Sequence, residues 1–117
     1  MIKEVNNEKN ILIIKSDTGS KTINFKENVK TVLKINNSVV VRTAHDPQQG
    51  ARNICRFDEA GAKIWIVEEP DGAKGQANAF MDLWLDQSGK LMGGTWQGME
   101  YEIDFETGKL LKSKFTK

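Results

Sequence analysis

The residues most suited to nucleophilic chemistry are one histidine and one cysteine, His45 and Cys55, with Asp46 directly after the histidine. A histidine that takes the proton of a cysteine thiol would create a reactive thiolate. A single residue of each type is weak support for such a pair. In addition, Cys55 alternates with Phe57, as in a strand with one buried face. We therefore interpret His45 as a loop residue and Cys55 as a buried thiol, and we predict no catalytic residue.

Carboxylates are the other groups that could do chemistry. Glu100, Glu102 and Asp104 occupy alternate positions, and two of them could form the carboxylate pair of a glycosidase. Alternate acids on a strand more often form a solvated face. The acids at 71 and 86 do not continue as a calcium loop, and one histidine with one cysteine does not complete a zinc site. We expect no metal, no cofactor and no enzymatic activity.

Charge is unevenly distributed along the chain. The net charge is only +1 over 117 residues, but residues 58–106 hold eleven acids and three lysines, a net charge of −8. The N-terminal lysines are spaced among other polar residues, as on protected strand edges, rather than clustered as in a nucleic-acid site. We therefore expect a basic partner for the acidic stretch and no direct binding of nucleic acid.

Short runs rich in Val, Ile, Leu and aromatic residues alternate with turn residues over most of the chain. We find no convincing helical period in any long stretch. The pattern predicts about eight to eleven short antiparallel strands, with β-like runs over residues 11–14, 21–25, 29–35, 38–43, 53–57, 62–67, 80–85, 90–96, 99–105 and 109–115.

One passage occurs twice. The pattern of residues 56–65 returns at 102–111, and each copy is an Asp-led turn with a glycine and a lysine between two strands. Each copy follows another hairpin-like pair, which indicates two four-stranded units, 29–68 and 79–115, after N-terminal strands within 1–28. We predict a single all-β domain over 1–117, either an antiparallel sandwich or a small barrel.

The repeated passage resembles a blade of the pyrroloquinoline-quinone-type β-propellers. Such blades often carry an Asp, a Thr-Gly-Lys turn and a final strand, as Asp104, Thr107, Gly108 and Lys109 do here, whereas the copy over 56–65 lacks the threonine. A propeller ring needs four or more blades. The resemblance therefore implies blade-like local structure without a ring, and it implies no quinone cofactor.

Aromatic residues lie among the acids, which is typical of a surface that binds a basic protein. Tryptophan and tyrosine supply anchors, and carboxylates supply steering and register. We expect Trp65 in the core. The predicted partner-binding residues are Glu68, Glu69, Asp71, Asp82, Trp84, Asp86, Trp96, Glu100, Glu102 and Asp104.

In size and surface character, the chain resembles small bacterial immunity proteins, including those of contact-dependent growth inhibition, which bind and block a toxin. The resemblance implies a cytoplasmic protein that occludes the active site of a cognate toxin, and a basic ribonuclease suits the acidic surface. A single cysteine and the lack of a signal-peptide pattern agree with a reducing cytoplasm and with no membrane contact. We expect a free monomer; the alternative is a non-enzymatic β-repeat module that closes a ring as a homodimer.

Overall fold

The structure, a computed structural model, describes residues 1–45, 51–70 and 79–115. Two residues named above, Asp46 and Asp71, lie outside the described residues. The regular secondary structure of the described part is β-strand. No helix long and apolar enough to cross a membrane occurs among these residues.

The described residues form three antiparallel sheets. The strands are β1 (Ile2–Glu8), β2 (Ile11–Ser16), β3 (Gly19–Asn24), β4 (Val29–Ile35), β5 (Ser38–Thr43), β6 (Ile54–Asp58), β7 (Lys63–Ile66), β8 (Phe80–Leu85), β9 (Leu91–Thr95), β10 (Met99–Ile103) and β11 (Leu110–Phe115). The first sheet has the order β1-β2-β3, the second β4-β5-β6-β7 and the third β11-β10-β9-β8. Each sheet is a meander, because strands that follow one another along the chain pair with each other.

The predicted all-β fold is confirmed, as a sandwich of packed sheets rather than a closed barrel. The strand that the sequence did not predict is β1, which is polar from Asn6 to Glu8. It forms because β2 offers a paired backbone and a buried face. Val5 of β1 pairs with the fully buried Ile14 of β2, while Ile2 at the start of β1 is itself buried.

The second sheet is the middle layer, and it buries residues on both faces. On strand β5, Val39 and Val41 point toward the first sheet, whereas Val40 points toward the third. All three valines are at most 1% exposed. A strand that is apolar without alternation is expected where both faces are covered, so the run from 39 to 41 fits the middle sheet.

The first strands of the first and third sheets, β1 and β8, are placed differently relative to β4 of the second sheet. Ile2 N donates to Asn37 Oδ1 beyond the end of β4, and Val29 N at the start of β4 donates to Lys9 O beyond the end of β1. Strand β1 therefore runs antiparallel to β4. Asn53 Nδ2 donates hydrogen bonds to the carbonyl oxygens of Thr43 and of Phe80, which begins β8. Thr43 pairs with Val29 at the start of β4, so β8 begins at the same end of the sandwich as β4.

Candidate functional site

The outer face of the third sheet is the candidate functional site, because the first and second sheets leave it uncovered. Strand pairing arranges its side chains in two rows across the sheet. One row is Asp82, Gly94, Glu100 and Lys114; the other is Trp84, Met92, Glu102 and Lys112. Four of the ten predicted partner-binding residues therefore lie together on this face.

Trp84 and Gly94 form the centre of the face. Trp84 pairs with Met92, and its ring leans diagonally over Gly94. A Cβ atom on Gly94 would lie 3.4 Å from the Trp84 Cζ3 atom. The ring therefore lies within ordinary van der Waals reach of the sheet at Gly94, while the tryptophan remains partly exposed.

The strand register changes the expected electrostatics. In sequence the acids of 58–106 are separate from the basic C-terminal segment, but β11 places Lys114 opposite Glu100 and Lys112 opposite Glu102. Lys90 Nζ also lies 3.9 Å from a Glu102 carboxylate oxygen. The face is therefore a mixture of both charges rather than the row of carboxylates that alternation along one strand predicts.

Two of the predicted binding acids serve turns. Asp86 Oδ1 accepts hydrogen bonds from the backbone N–H groups of Ser88 and Lys90, both within 3 Å. Asp104 Oδ1 accepts one of 2.8 Å from Glu106 N. A carboxylate that satisfies turn N–H groups is held in a local role. Both residues lie just beyond the ends of β8 and β10, in turns rather than in the paired strands.

Glu68 joins the second and third sheets. Its N–H donates to Gly108 O, and its Oε1 accepts from Leu110 N, each at 2.9 Å. Glu69 is exposed beside it, and the two residues help to line an open groove of about 410 Å³ together with Arg52 and Lys109. The described lining of this groove includes no residue of the two rows of the outer face, although Glu68 and Glu69 also line a smaller pocket together with Lys112. The sequence therefore grouped residues of two adjacent surfaces.

The three tryptophans have different environments. Trp65 is only 7% exposed, as expected for the core, and its Nε1 donates to Phe105 O. Trp96 is 61% exposed and follows β9. Trp84 is intermediate. Trp84, which belongs to a row of the outer face, therefore combines packing with accessibility.

His45 and Cys55, the described residues considered for nucleophilic chemistry, lie in different local environments. Cys55 is buried, and this burial raises the pKa of its thiol, which disfavours the reactive thiolate. His45 is partly buried at the end of a described segment. Within 1–45, 51–70 and 79–115, no three His, Cys, Asp or Glu side chains are placed to hold a metal ion together.

Sequence reasoning missed Met92, Gly94, Lys112 and Lys114. Their place on the face depends on which residue of β9 or β11 lies opposite which residue of β8 or β10. A run of apolar and glycine residues such as that of β9 does not reveal this register. The alternate positions of Lys112 and Lys114 in the sequence were the one available signal, because they place both lysines on the same face of a strand.

A family model described as "Domain of unknown function (DUF7957)" matches residues 2–115. The chain belongs to this family. No curated protein matches the chain in sequence.

Two solved structures of computationally designed proteins are similar in fold. Ika8 superposes with a TM-score of 0.56 at 16% identity, over 97% of this chain and 36% of the Ika8 chain. Ika4 superposes with a TM-score of 0.55 at 16% identity, over 97% of this chain and 72% of its own. The chain spans about a third of the length of Ika8. At this identity the similarity concerns the fold alone.

Proposed function

We propose that this protein is a cytoplasmic immunity protein that binds a cognate bacterial toxin, a basic ribonuclease, and neutralises it by covering its active site. The observation that carries the proposal is the outer face of the third sheet, where Trp84 and Met92 lie among Asp82, Glu100 and Glu102. Aromatic anchors within charged surroundings are the composition of protein-binding hot spots. No covalent step is needed.

A comparison between sheets supports a docking role for this face. The corresponding face of the second sheet carries Val40, Ile54 and Trp65, and it packs against the third sheet. At the same positions of the third sheet the face carries Met92, Glu100 and Lys112. The charges keep the face hydrated when free, whereas the Trp84–Met92 centre retains apolar area that a partner can bury.

Asp82 and Glu100 are the carboxylates best placed to meet a basic toxin. Glu102 already has Lys90 and Lys112 as neighbours, and Asp86 and Asp104 serve turns. Glu100 lies opposite Lys114 and Asp82 lies near Arg42, but among the described residues neither acid has a cation within salt-bridge distance, as Glu102 has in Lys90. Substrate-binding lysines and arginines of a ribonuclease are the natural counterparts of these two acids.

The alternative, a homodimer that closes a ring, requires an uncovered face on each terminal unit of the repeat. The first sheet covers the second with the buried residues Ile2, Leu12 and Ile14. The geometry therefore favours the binding protein over the ring.

The proposal is tested by capture from cells that naturally produce the protein. The wild type is compared with Asp82→Lys/Glu100→Lys and with a matched control, Glu4→Lys/Glu8→Lys, which makes the same charge change on the outer face of the first sheet. We expect wild type and control to retain one small basic protein that is toxic alone and harmless when co-expressed with the wild type. Equal retention of the basic protein by the wild type and both variants would contradict the proposal. The absence of a toxic protein among those retained would contradict it as well.

A further inference from the structure

We propose that the Trp84 ring, between Asp82 and Glu100, binds one arginine side chain of the partner, whose guanidinium stacks on the ring. The inference rests on the proposed function, since it names the partner group that the outer face of the third sheet receives. It specifies one side-chain contact, at Trp84, within the outer face of the third sheet.

The strand register builds this subsite. Asp82 and Glu100 both lie directly opposite Gly94, one on each neighbouring strand. Two strand spacings, about 10 Å, separate the backbone positions of Asp82 and Glu100. The Cζ3–Cη2 edge of the Trp84 ring approaches Gly94, so the partly exposed ring lies near the strand position that separates the two acids.

The chemistry of this arrangement suits a guanidinium. A tryptophan ring attracts a cation through its negative face. A planar guanidinium can stack on the ring while its N–H groups reach carboxylates at the rim, whereas an ammonium is a compact point charge. The two acids fix the sign of the ligand, and the flat ring selects the planar cation.

The protein makes the same kind of contact within its own fold. Arg56 of the second sheet lies over the Phe105 ring, with its guanidinium carbon 3.8 Å from the ring centroid. A carboxylate oxygen of Glu106 is 3.6 Å from the same guanidinium. An arginine on an aromatic ring beside a carboxylate thus already joins the second sheet to the third.

Two basic residues of the chain lie near the acids of the subsite. Lys114 lies opposite Glu100 on the far side from Gly94. Arg42 is near enough to Asp82 that the carboxylate partly offsets the lowering of the Arg42 pKa by burial. Arg42 Nε donates a hydrogen bond of 3.1 Å to Thr31 Oγ1.

The test uses a short acetylated arginine peptide as the probe, with lysine and citrulline peptides of equal length. NMR spectra of the full chain follow the Trp84 indole N–H and the Gly94 amide, with Trp65 as an internal reference. We expect saturable shifts at Trp84 and Gly94 with arginine, smaller ones with lysine and none with citrulline. Trp84→Leu should weaken arginine binding about fivefold, and Trp84→Phe should retain most of it.

Equal shifts with citrulline, or unchanged arginine binding by Trp84→Leu, would overturn the arginine contact. Dispersed spectra of Trp84→Leu show that the variant is folded, since the replaced side chain is partly exposed. If toxin capture depends on Asp82 and Glu100 but the peptide does not bind at Trp84, the arginine contact fails and the proposed function stands. If the peptide binds at Trp84 but no toxin is retained, the proposed function fails.

Discussion

The guanidinium of Arg56 stacks on the Phe105 ring and also donates a hydrogen bond of 2.8 Å to the Phe105 carbonyl oxygen. Trp65 Nε1 donates to the same oxygen at 2.7 Å. Both donors belong to the first copy of the repeated passage, and Phe105 belongs to the second. The two copies are therefore packing partners, and the repeat joins the second sheet to the third.

Replacing Arg56 tests this junction. The side chain is 12% exposed and also donates from Nε to Ser38 Oγ. We expect Arg56→Ala to lower the free energy of unfolding by about 3 kcal/mol, since buried charge-assisted hydrogen bonds are lost. Urea unfolding measures the change. Lys112→Ala, at an exposed position, should change stability by less than about 0.5 kcal/mol, and a similar small effect for Arg56→Ala would contradict the account.

Gly108 tests the close approach of the second copy to Trp65. Its φ is +79°, and a Cβ atom there would lie 2.7 Å from the Trp65 ring. Gly89 has φ +83° with open space around it. We expect Gly89→Ala to cost about 1 kcal/mol from backbone strain alone, and Gly108→Ala about 3 kcal/mol, because overpacking adds to the strain. Equal losses in thermal unfolding would show that Trp65 yields without cost.

The strands from β2 onward were predictable because their apolar runs and turn residues are local signals. Asp58, Asp86 and Asp104 each begin a turn, and each carboxylate accepts at least one hydrogen bond from a backbone N–H group of that turn. The repeated Asp-to-Gly pattern is therefore a true structural signal. Strand β1 was not predictable, since its pairing rests on the apolar face of β2.

The candidate site was predictable only in part. Alternation within one strand correctly placed Asp82 with Trp84 and Glu100 with Glu102. It could not reveal that Lys112 and Lys114 lie opposite the two glutamates, because that depends on the register between β10 and β11. Charge counted along the chain therefore overstated the acidity of the surface.

Asp86 separates a turn role from a binding role. Because its carboxylate accepts two backbone hydrogen bonds, Asp86→Ala should lower the free energy of unfolding by about 1 kcal/mol. It should leave toxin capture unchanged. Capture that is lost while stability is retained would return Asp86 to the binding surface.

Cys55 gives a pH-dependent prediction. Burial raises the pKa of its thiol above the ordinary value of 9.0, so above that pH the unfolded chain releases a proton that the folded chain keeps. Stability should therefore fall as the pH rises beyond 9.0, and the fall should be smaller in Cys55→Ala. Urea unfolding of both proteins across this range measures the difference, and parallel profiles would contradict the assignment.

The central claim is that the outer face of the third sheet binds a basic toxin, and association kinetics test it most directly. Rates of toxin binding are measured by stopped flow at low and high salt for the wild type, Asp82→Lys/Glu100→Lys and Glu4→Lys/Glu8→Lys. The account predicts that reversal of Asp82 and Glu100 slows association at least tenfold at low salt, with a smaller difference at high salt, because salt screens steering. The control should associate much faster than that variant. Equal slowing by both variants would contradict the claim, since only net charge would then matter.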